Sequence, residues 1–336
     1  MFKRLVFYIL ITSILGTYTL NRLYECFLRP DSLFFEQTIK TSKKWSHELR
    51  KSPDPCFVFT GGSEVRMCIE PQVMLEKQGV RAINAGVQAG CGVRCNAQIA
   101  LPFLHKGDTL LVSYIPGNDK LTNDGMTHIG INFCHTLQQF SPYTKGILPT
   151  SYYSIASLFR GSSSNYSIHV MRLLTRPDCI YRYSSSKNAE ISRTGRVNVF
   201  LLDEQHKKLE TKKPGKHSAP VLHGWESFLA DLQTYCQKHG AKVAMYISRS
   251  HLPAHSRKKN ACVALYFMNL GFPVLKDPYL GCWPDASMYS DTAQHLSIEA
   301  GCNYSEFLAV QLKNNQYWTK EELQQFINDA NTGEEL

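Results

Sequence analysis

The feature that most constrains the fold is a repeated alternation of short apolar runs with helix-like segments that end at glycine. Short apolar runs bounded by turn residues are typical of buried strands, and the segments between them space their apolar residues as a helix does. The predicted strands are residues 56–62, 80–86, 108–119, 241–248 and 272–278. The predicted helices are residues 71–79, 93–107, 225–240, 257–271 and 297–312. This order predicts parallel crossover units, and therefore an α/β fold with one five-stranded parallel sheet and helices on both faces.

A long segment without this alternation interrupts the predicted sheet. Residues 120–222 are rich in Ser, Tyr, Thr and Asn, and within them the run "GRVNVFLLDE" (195–204) predicts a strand of a small local sheet. We therefore expect an insertion, or cap, on the main fold. The predicted organisation is a membrane anchor (1–24), a stalk helix or a helix packed on the domain (25–55), the α/β domain (56–119 and 223–315), the insertion (120–222) and a C-terminal tail (316–336).

The N-terminus "MFKRLVFYILITSILGTYTL" predicts a membrane segment. Lys3 and Arg4 precede an uncharged stretch from 5 to 20, which is short for a full span unless its basic flanks snorkel. A cleaved signal peptide would carry small residues before a cleavage site, and no such site is visible. An uncleaved N-terminal transmembrane helix fits best, with the N-terminus cytoplasmic by the positive-inside tendency and the domain on the outer side of the cell membrane.

Composition argues against several classes of function. The net charge of +9 is mildly basic, but Lys and Arg are scattered without a stripe of interleaved aromatics, so we expect no nucleic-acid partner. The 11 cysteines do not form CxxC pairs, which argues against zinc ribbons. His251 and His255 have a metal-like spacing, but Pro253 lies between them and disfavours a shared helix face. We predict no metal site and no cofactor.

Candidate catalytic residues follow the predicted strands. In open parallel sheets, ligands bind beyond the carboxyl ends of the strands, so residues that follow different strands converge there. Ser63 follows the first strand, Gly86 the second and Asn118 the third, while Asp291 and His295 follow the last. These residue types are the parts of an acyl-transfer site.

Each part has a predicted role. Ser63 can attack a carbonyl when His295 accepts its proton, and Asp291 can hold the imidazole in the required tautomer. The backbone N–H groups of Ser63 and Gly86 and the side-chain amide of Asn118 can stabilise the developing oxyanion. The competing interpretation of Ser63 is a helix cap with no catalytic role.

The stretches "GGSEVRMCIEP" and "YSDTAQHLSIEAG", with Asn/Gly and Gly-Asn-Asp between them, resemble the SGNH (GDSL-like) hydrolases. The similarity is closest to the membrane-anchored cell-envelope branch, which includes proteins of polysaccharide O-acetylation and of teichoic-acid D-alanylation. The resemblance implies a flavodoxin-like three-layer αβα sandwich, with Ser63 as nucleophile, His295 as base, and Gly86 and Asn118 in the oxyanion hole. Two positions depart from the family pattern: Gly62 stands where Asp or Ser is usual, and Asp291 lies four residues before His295 rather than three.

The resemblance implies a membrane-anchored serine esterase or O-acyltransferase that acts on acyl groups, such as acetyl, of a cell-envelope glycan. Its expected partners are that glycan or another acylated substrate, the membrane, and a membrane-bound O-acyltransferase. The alternative is a catalytically silent protein of the same fold that binds a glycan or scaffolds such an acyltransferase. Arg66 is predicted either to form a surface ion pair with Glu64 or to contact an anionic substrate.

Overall fold

The architecture comes from a computed structural model. It describes residues 6–8, 10–13, 15–16, 29–87, 92–117, 189–199, 222, 224–290 and 292–332. The strands are β1 (Phe57–Thr60), β2 (Ala82–Asn84), β3 (Thr109–Tyr114), β4 (Ala189–Ile191), β5 (Val197–Val199) and β6 (Lys242–Ile247). The α-helices are α1 (Arg29–Leu49), α2 (Ser63–Cys68), α3 (Pro71–Gln78), α4 (Gly92–Ala100), α5 (Trp225–Lys238), α6 (Arg257–Asn269), α7 (Ile298–Lys313) and α8 (Lys320–Thr332). Short 3-10 helices span Leu101–Phe103, Ala254–Ser256 and Ala286–Met288.

Four parallel strands form the main sheet, in the order β2-β1-β3-β6. The first strand along the chain, β1, is therefore an inner strand with a hydrogen-bonded neighbour on each side. All four run the same way, so the segments that follow them leave the sheet at one edge. This confirms the predicted α/β class and its parallel sheet.

The prediction of a fifth strand at 272–278 is wrong for the described residues. Val274 forms a single parallel bridge with Met245, and the segment does not continue as a ladder. The physical reason is a turn that begins at Asp277: its carbonyl accepts the Leu280 N–H at 2.8 Å, and Pro278 has no N–H to donate. On the other side of the segment, the Val274 carbonyl accepts the Trp318 N–H at 2.9 Å and Leu275 forms an antiparallel bridge with Tyr317. Pro273 also has no N–H to donate. The segment thus lies between β6 and the chain near its C-terminus.

Alternate residues of the strands build two separate cores, one on each face of the sheet. One face contributes Val58, Leu110 and Met245, and these pack with Trp225 of α5 and Phe267 of α6. All five side chains are fully buried. This alternation follows from the two-residue period of a strand, which turns successive side chains to opposite faces.

The opposite face contributes Phe59, Leu111 and Tyr246, which pack with Met74 of α3 and Leu308 of α7. Helices therefore cover both faces of the sheet. The start and end of these helices follow local sequence: Pro71 is the first residue of α3, and Gly79 ends it in a left-handed conformation (φ 70°).

The segments that flank the α/β domain are described only in part. Residues 6–8, 10–13 and 15–16 of the predicted membrane anchor are helical. Among the described residues, no helix is both long and apolar enough to cross a membrane. The C-terminal part of α1 packs on the domain, where the Trp45 indole N–H donates to the Ala82 carbonyl at 2.9 Å.

The remainder of the chain adds two elements to the domain. Residues 316–336, predicted to be a tail, contain α8, and its Leu323 is fully buried in the core shared with α6. Within the predicted insertion, β4 and β5 form an antiparallel hairpin, in agreement with the predicted local strand. The rest of the insertion lies outside the described residues.

Candidate active site

Ser63 lies at the carboxyl end of β1, at the first residue of α2, and is partly exposed. The two glycines before it allow the chain to turn within a crowded space. A Cβ on Gly61 would lie 2.4 Å from Val65 Cγ2 and 2.8 Å from Ser113 Cβ, so any larger residue would displace α2 or β3. The Gly61–Gly62 turn therefore fixes where the serine hydroxyl emerges.

His295 lies in the loop before α7, and its ring reaches the serine. The distance from His295 Nε2 to Ser63 Oγ is 2.8 Å, which is hydrogen-bonding distance. The histidine itself is only 5 % exposed. The two residues are 232 positions apart in sequence, and the fold brings them together at the edge where the sequence placed them.

Backbone and thiol contacts hold the histidine loop in place. The His295 carbonyl accepts the Ser290 N–H at 2.7 Å, which closes the loop upon itself. Cys68, at the last residue of α2, donates its thiol to the Gln294 carbonyl at 3.4 Å, and its sulfur accepts the Leu296 N–H at 3.2 Å. The helix that begins with Ser63 therefore ends against the residues on both sides of His295.

Two of the predicted site residues lie outside the described residues. Asp291, the predicted orienting acid, and Asn118, the predicted amide donor of the oxyanion hole, are not described. Their roles remain predictions.

Gly86 is described, and its geometry differs from the predicted role. It is buried, and its N–H donates to Asn84 Oδ1 at 3.0 Å rather than to open space. A Cβ here would lie 2.5 Å from the Arg66 backbone nitrogen, so the glycine permits a close approach of β2 to α2. The expected oxyanion-hole donor is therefore a packing glycine whose N–H already has a partner within the protein.

The Asn84 side chain holds Gly86 and the end of β2 against α2. Its side-chain amide donates to the carbonyls of Val65 at 3.0 Å and Ile69 at 2.8 Å, while its side-chain oxygen accepts the Gly86 N–H. The side chain is 1 % exposed. It ties the end of β2 to the nucleophile helix and satisfies carbonyls at the end of that helix.

Glu64 and Arg66 do not form the predicted surface ion pair, because each is only 2 % exposed. Both side chains point into the fold from α2. The alternative expectation was contact between Arg66 and an anionic substrate. The Arg66 guanidinium is buried in this structure and is not exposed to a substrate. The helix α2 has six residues, and Glu64 and Arg66 on it are covered by neighbouring elements.

Glu64 is a buried carboxyl next to the candidate nucleophile. Its Oε1 accepts the Gly62 N–H at 2.8 Å, so the carboxyl lies under the turn that presents Ser63. Its Oε2 is buried without a well-aligned hydrogen bond among the described residues, although the Ser113 hydroxyl lies close by. Burial raises the pKa of Glu64, an effect that the hydrogen bonds and the nearby His295 only partly oppose.

No protein family, curated protein or solved structure matches this chain. The site must therefore be interpreted from its own geometry. A serine hydroxyl within hydrogen-bonding distance of a buried imidazole, at the carboxyl edge of a parallel sheet, is suited to nucleophilic attack with general-base assistance. Among the described residues, no three His, Cys, Asp or Glu side chains lie close enough to hold a metal ion.

Proposed function

We propose that this protein is a serine esterase or acyltransferase of the SGNH type. The observation that carries the proposal is the 2.8 Å contact between Ser63 Oγ and His295 Nε2. A serine that only capped a helix would need no histidine at its hydroxyl. The partial exposure of Ser63 beside a buried His295 supports the proposal further, because the nucleophile must meet a substrate while the base must be held still.

The proposed reaction has two halves. His295 accepts the proton of Ser63 while Oγ attacks the carbonyl carbon of an ester, and the imidazolium then returns the proton to the departing alcohol oxygen. The acyl group remains on Ser63 as an ester. In the second half, His295 accepts the proton of water or of an acceptor hydroxyl whose oxygen attacks the acyl carbon, and the imidazolium returns that proton to Ser63 Oγ as the acyl–serine bond breaks. The Ser63 N–H and the Asn118 amide are the proposed donors to the oxyanion, and Asp291 is the proposed partner that orients His295.

We propose as substrates the acyl groups, such as acetyl, of a cell-envelope glycan, with the domain held outside the cell membrane by residues 1–24. Lys3 and Arg4 before an uncharged stretch support this topology. Protease added to intact spheroplasts would then digest the domain, and full protection would rule out an external location.

Labelling with a fluorophosphonate probe tests the proposal directly. We expect the full-length protein to be labelled at Ser63, with labelling absent in Ser63→Ala and greatly slowed in His295→Ala. Ser52→Ala is a matched control, because Ser52 is also partly exposed but bonds to Asp54 rather than to a histidine. It should be labelled like the wild type.

Hydrolysis of simple acetyl esters by the wild type and by Ser63→Ala completes the test, and an added polyol acceptor separates transfer from hydrolysis. A folded wild-type protein that neither reacts with the probe nor cleaves these esters would refute the enzyme proposal. The alternative of a catalytically silent binding or scaffolding protein would then be favoured.

A further inference from the structure

The β4–β5 hairpin of the insertion places an arginine deep inside the α/β domain. Arg196 is 1 % exposed, although it follows a turn in a segment predicted to be a surface insertion. Its Nε donates to the Met67 carbonyl at 2.8 Å, and its Nη2 donates to the Ile298 carbonyl at 3.1 Å and the Ser297 carbonyl at 3.3 Å. Its Nη1 lies 3.2 Å from Cys302 Sγ.

These contacts join the two segments that supply the candidate catalytic pair. Met67 belongs to α2, the six-residue helix that begins with Ser63. Ser297 is the N-cap of α7 and lies two residues after His295. One rigid guanidinium therefore connects the helix of the nucleophile to the segment that carries the base.

The hairpin that carries Arg196 is itself tightly seated. Gly195 adopts φ +92°, and a Cβ on it would lie 2.1 Å from Ser42 Oγ of α1. The Thr194 hydroxyl donates to Glu70. Arg193 on the same turn pairs with Glu48 at 2.7 Å, but both side chains are exposed and such a pair contributes little stability. The turn therefore contacts α1 and the residue before α3, neither of which Arg196 joins. These contacts hold the backbone of Arg196 in place.

The chemistry of the side chain suits this position. A guanidinium carries five N–H donors in one plane, so it can reach carbonyls from two directions at once, which a lysine ammonium on its flexible stem does less well. The space for it also depends on α7, because a Cβ on Gly301 would lie 2.4 Å from Arg196 Nη2. Gly301 is thus a close neighbour that no larger side chain can replace without moving the guanidinium.

We propose that Arg196 is a positioning residue that holds α2 and the start of α7 at the separation required for the Ser63–His295 hydrogen bond. Its catalytic consequence rests on the proposed function, but the hydrogen bond can be observed without any activity. The β4–β5 hairpin would then be a structural part of the site rather than a cap that only borders it.

The primary test is NMR of the histidine rings in the full-length protein, with the His295 signal assigned from His295→Gln. Loss of the hydrogen bond in Ser63→Ala defines one reference shift. We expect Arg196→Ala to move the chemical shift of the His295 signal toward that reference, and Arg196→Lys to move it part of the way. In the Ser63→Ala background, Arg196→Ala should change the His295 chemical shift little. Arg193→Ala is the matched control, because that arginine lies on the same turn but pairs at the surface, and it should leave the signal unchanged.

The second readout is the rate of fluorophosphonate labelling. Displacement of a reacting group by about 1 Å can cost on the order of 100-fold in rate. We expect Arg196→Ala to lower the maximal labelling rate by about 100-fold with little change in probe affinity, and Arg193→Ala to stay within about twofold.

The outcomes separate the two proposals. A folded Arg196→Ala protein with a wild-type His295 signal and labelling rate overturns the positioning role and leaves the proposed function intact. A wild-type protein without labelling or ester hydrolysis, but with a His295 signal that depends on both Ser63 and Arg196, refutes the enzyme and supports the positioning role. If Arg196→Ala does not fold, Gly301→Ala replaces it, because the added methyl group should displace the Arg196 guanidinium. An unchanged His295 signal and labelling rate in folded Gly301→Ala also overturn the positioning role of Arg196.

Discussion

The substitution Glu64→Gln replaces a buried, titratable carboxyl beside the candidate nucleophile with a neutral amide that can keep its hydrogen bond. Glu64 is 2 % exposed, and its Oε1 accepts the Gly62 N–H at 2.8 Å. Glutamine keeps an oxygen for this bond and replaces Oε2 with an amide donor close to the Ser113 hydroxyl. The variant therefore tests protonation of the carboxyl separately from the shape of the turn.

The sign of the effect follows from the direction of the pKa shift. In the unfolded chain the pKa of Glu64 is near 4.5, and burial in the folded protein raises it. Below the unfolded pKa both states hold the proton, and the carboxyl contributes its full stability. Above it the unfolded state releases the proton while the folded state keeps it, so the free energy of unfolding falls by up to about 1.4 kcal/mol per pH unit until the pH passes the folded pKa.

Urea unfolding of the full-length wild type and the variant, from about pH 4 to about pH 9, measures this difference. Other titrating groups cancel between the two proteins, so the stability of Glu64→Gln relative to wild type should rise with pH and then level off. Glu76→Gln, an exposed site on α3, should leave the two curves parallel. A Glu64→Gln difference that is independent of pH, or that falls as pH rises, would refute the reasoning.

Two further substitutions test other parts of the molecule. Asp291→Asn should lower kcat/KM on an acetyl ester by about 10⁴-fold if Asp291 orients His295; near-wild-type activity beside an inactive His295→Ala would remove it from the site. Asp108 is fully buried, pairs with Arg50 and accepts the Cys56 N–H at 2.8 Å, so Asp108→Asn should lower the free energy of unfolding by about 3 kcal/mol in urea titrations. A loss below about 1 kcal/mol would mean that this buried pair adds little net stability.

The alternation of strands and helices could be predicted because it depends on local patterns. Apolar runs, helical spacing and glycine stops such as Gly79 specify elements over a few residues, and the parallel arrangement follows from their order. The position of Ser63 was predictable for the same reason, since residues that follow parallel strands meet at one edge of the sheet. His295 reaches the same edge, although the segment 272–278 before it forms only a single bridge with β6.

Other features depended on hydrogen bonds that the sequence pattern does not specify. Residues 272–278 have a strand-like sequence, but a turn that begins at Asp277 ends the segment after a single bridge with β6. Gly86 follows a strand as expected of an oxyanion donor, yet the Asn84 side chain takes its N–H.

The sequence by itself determined the class of fold and indicated Ser63 and His295 as candidates, because apolar periodicity and the order of elements along the chain are properties of the sequence. Only the tertiary structure decided that Glu64 is buried and that Arg196 lies between α2 and α7, because no local pattern distinguishes a charged side chain on the surface from one enclosed by distant elements. Burial of a charged group is favourable only when partners from elsewhere in the chain satisfy its hydrogen bonds. Those partners, such as the Met67 and Ile298 carbonyls, are brought together only when the whole domain has folded.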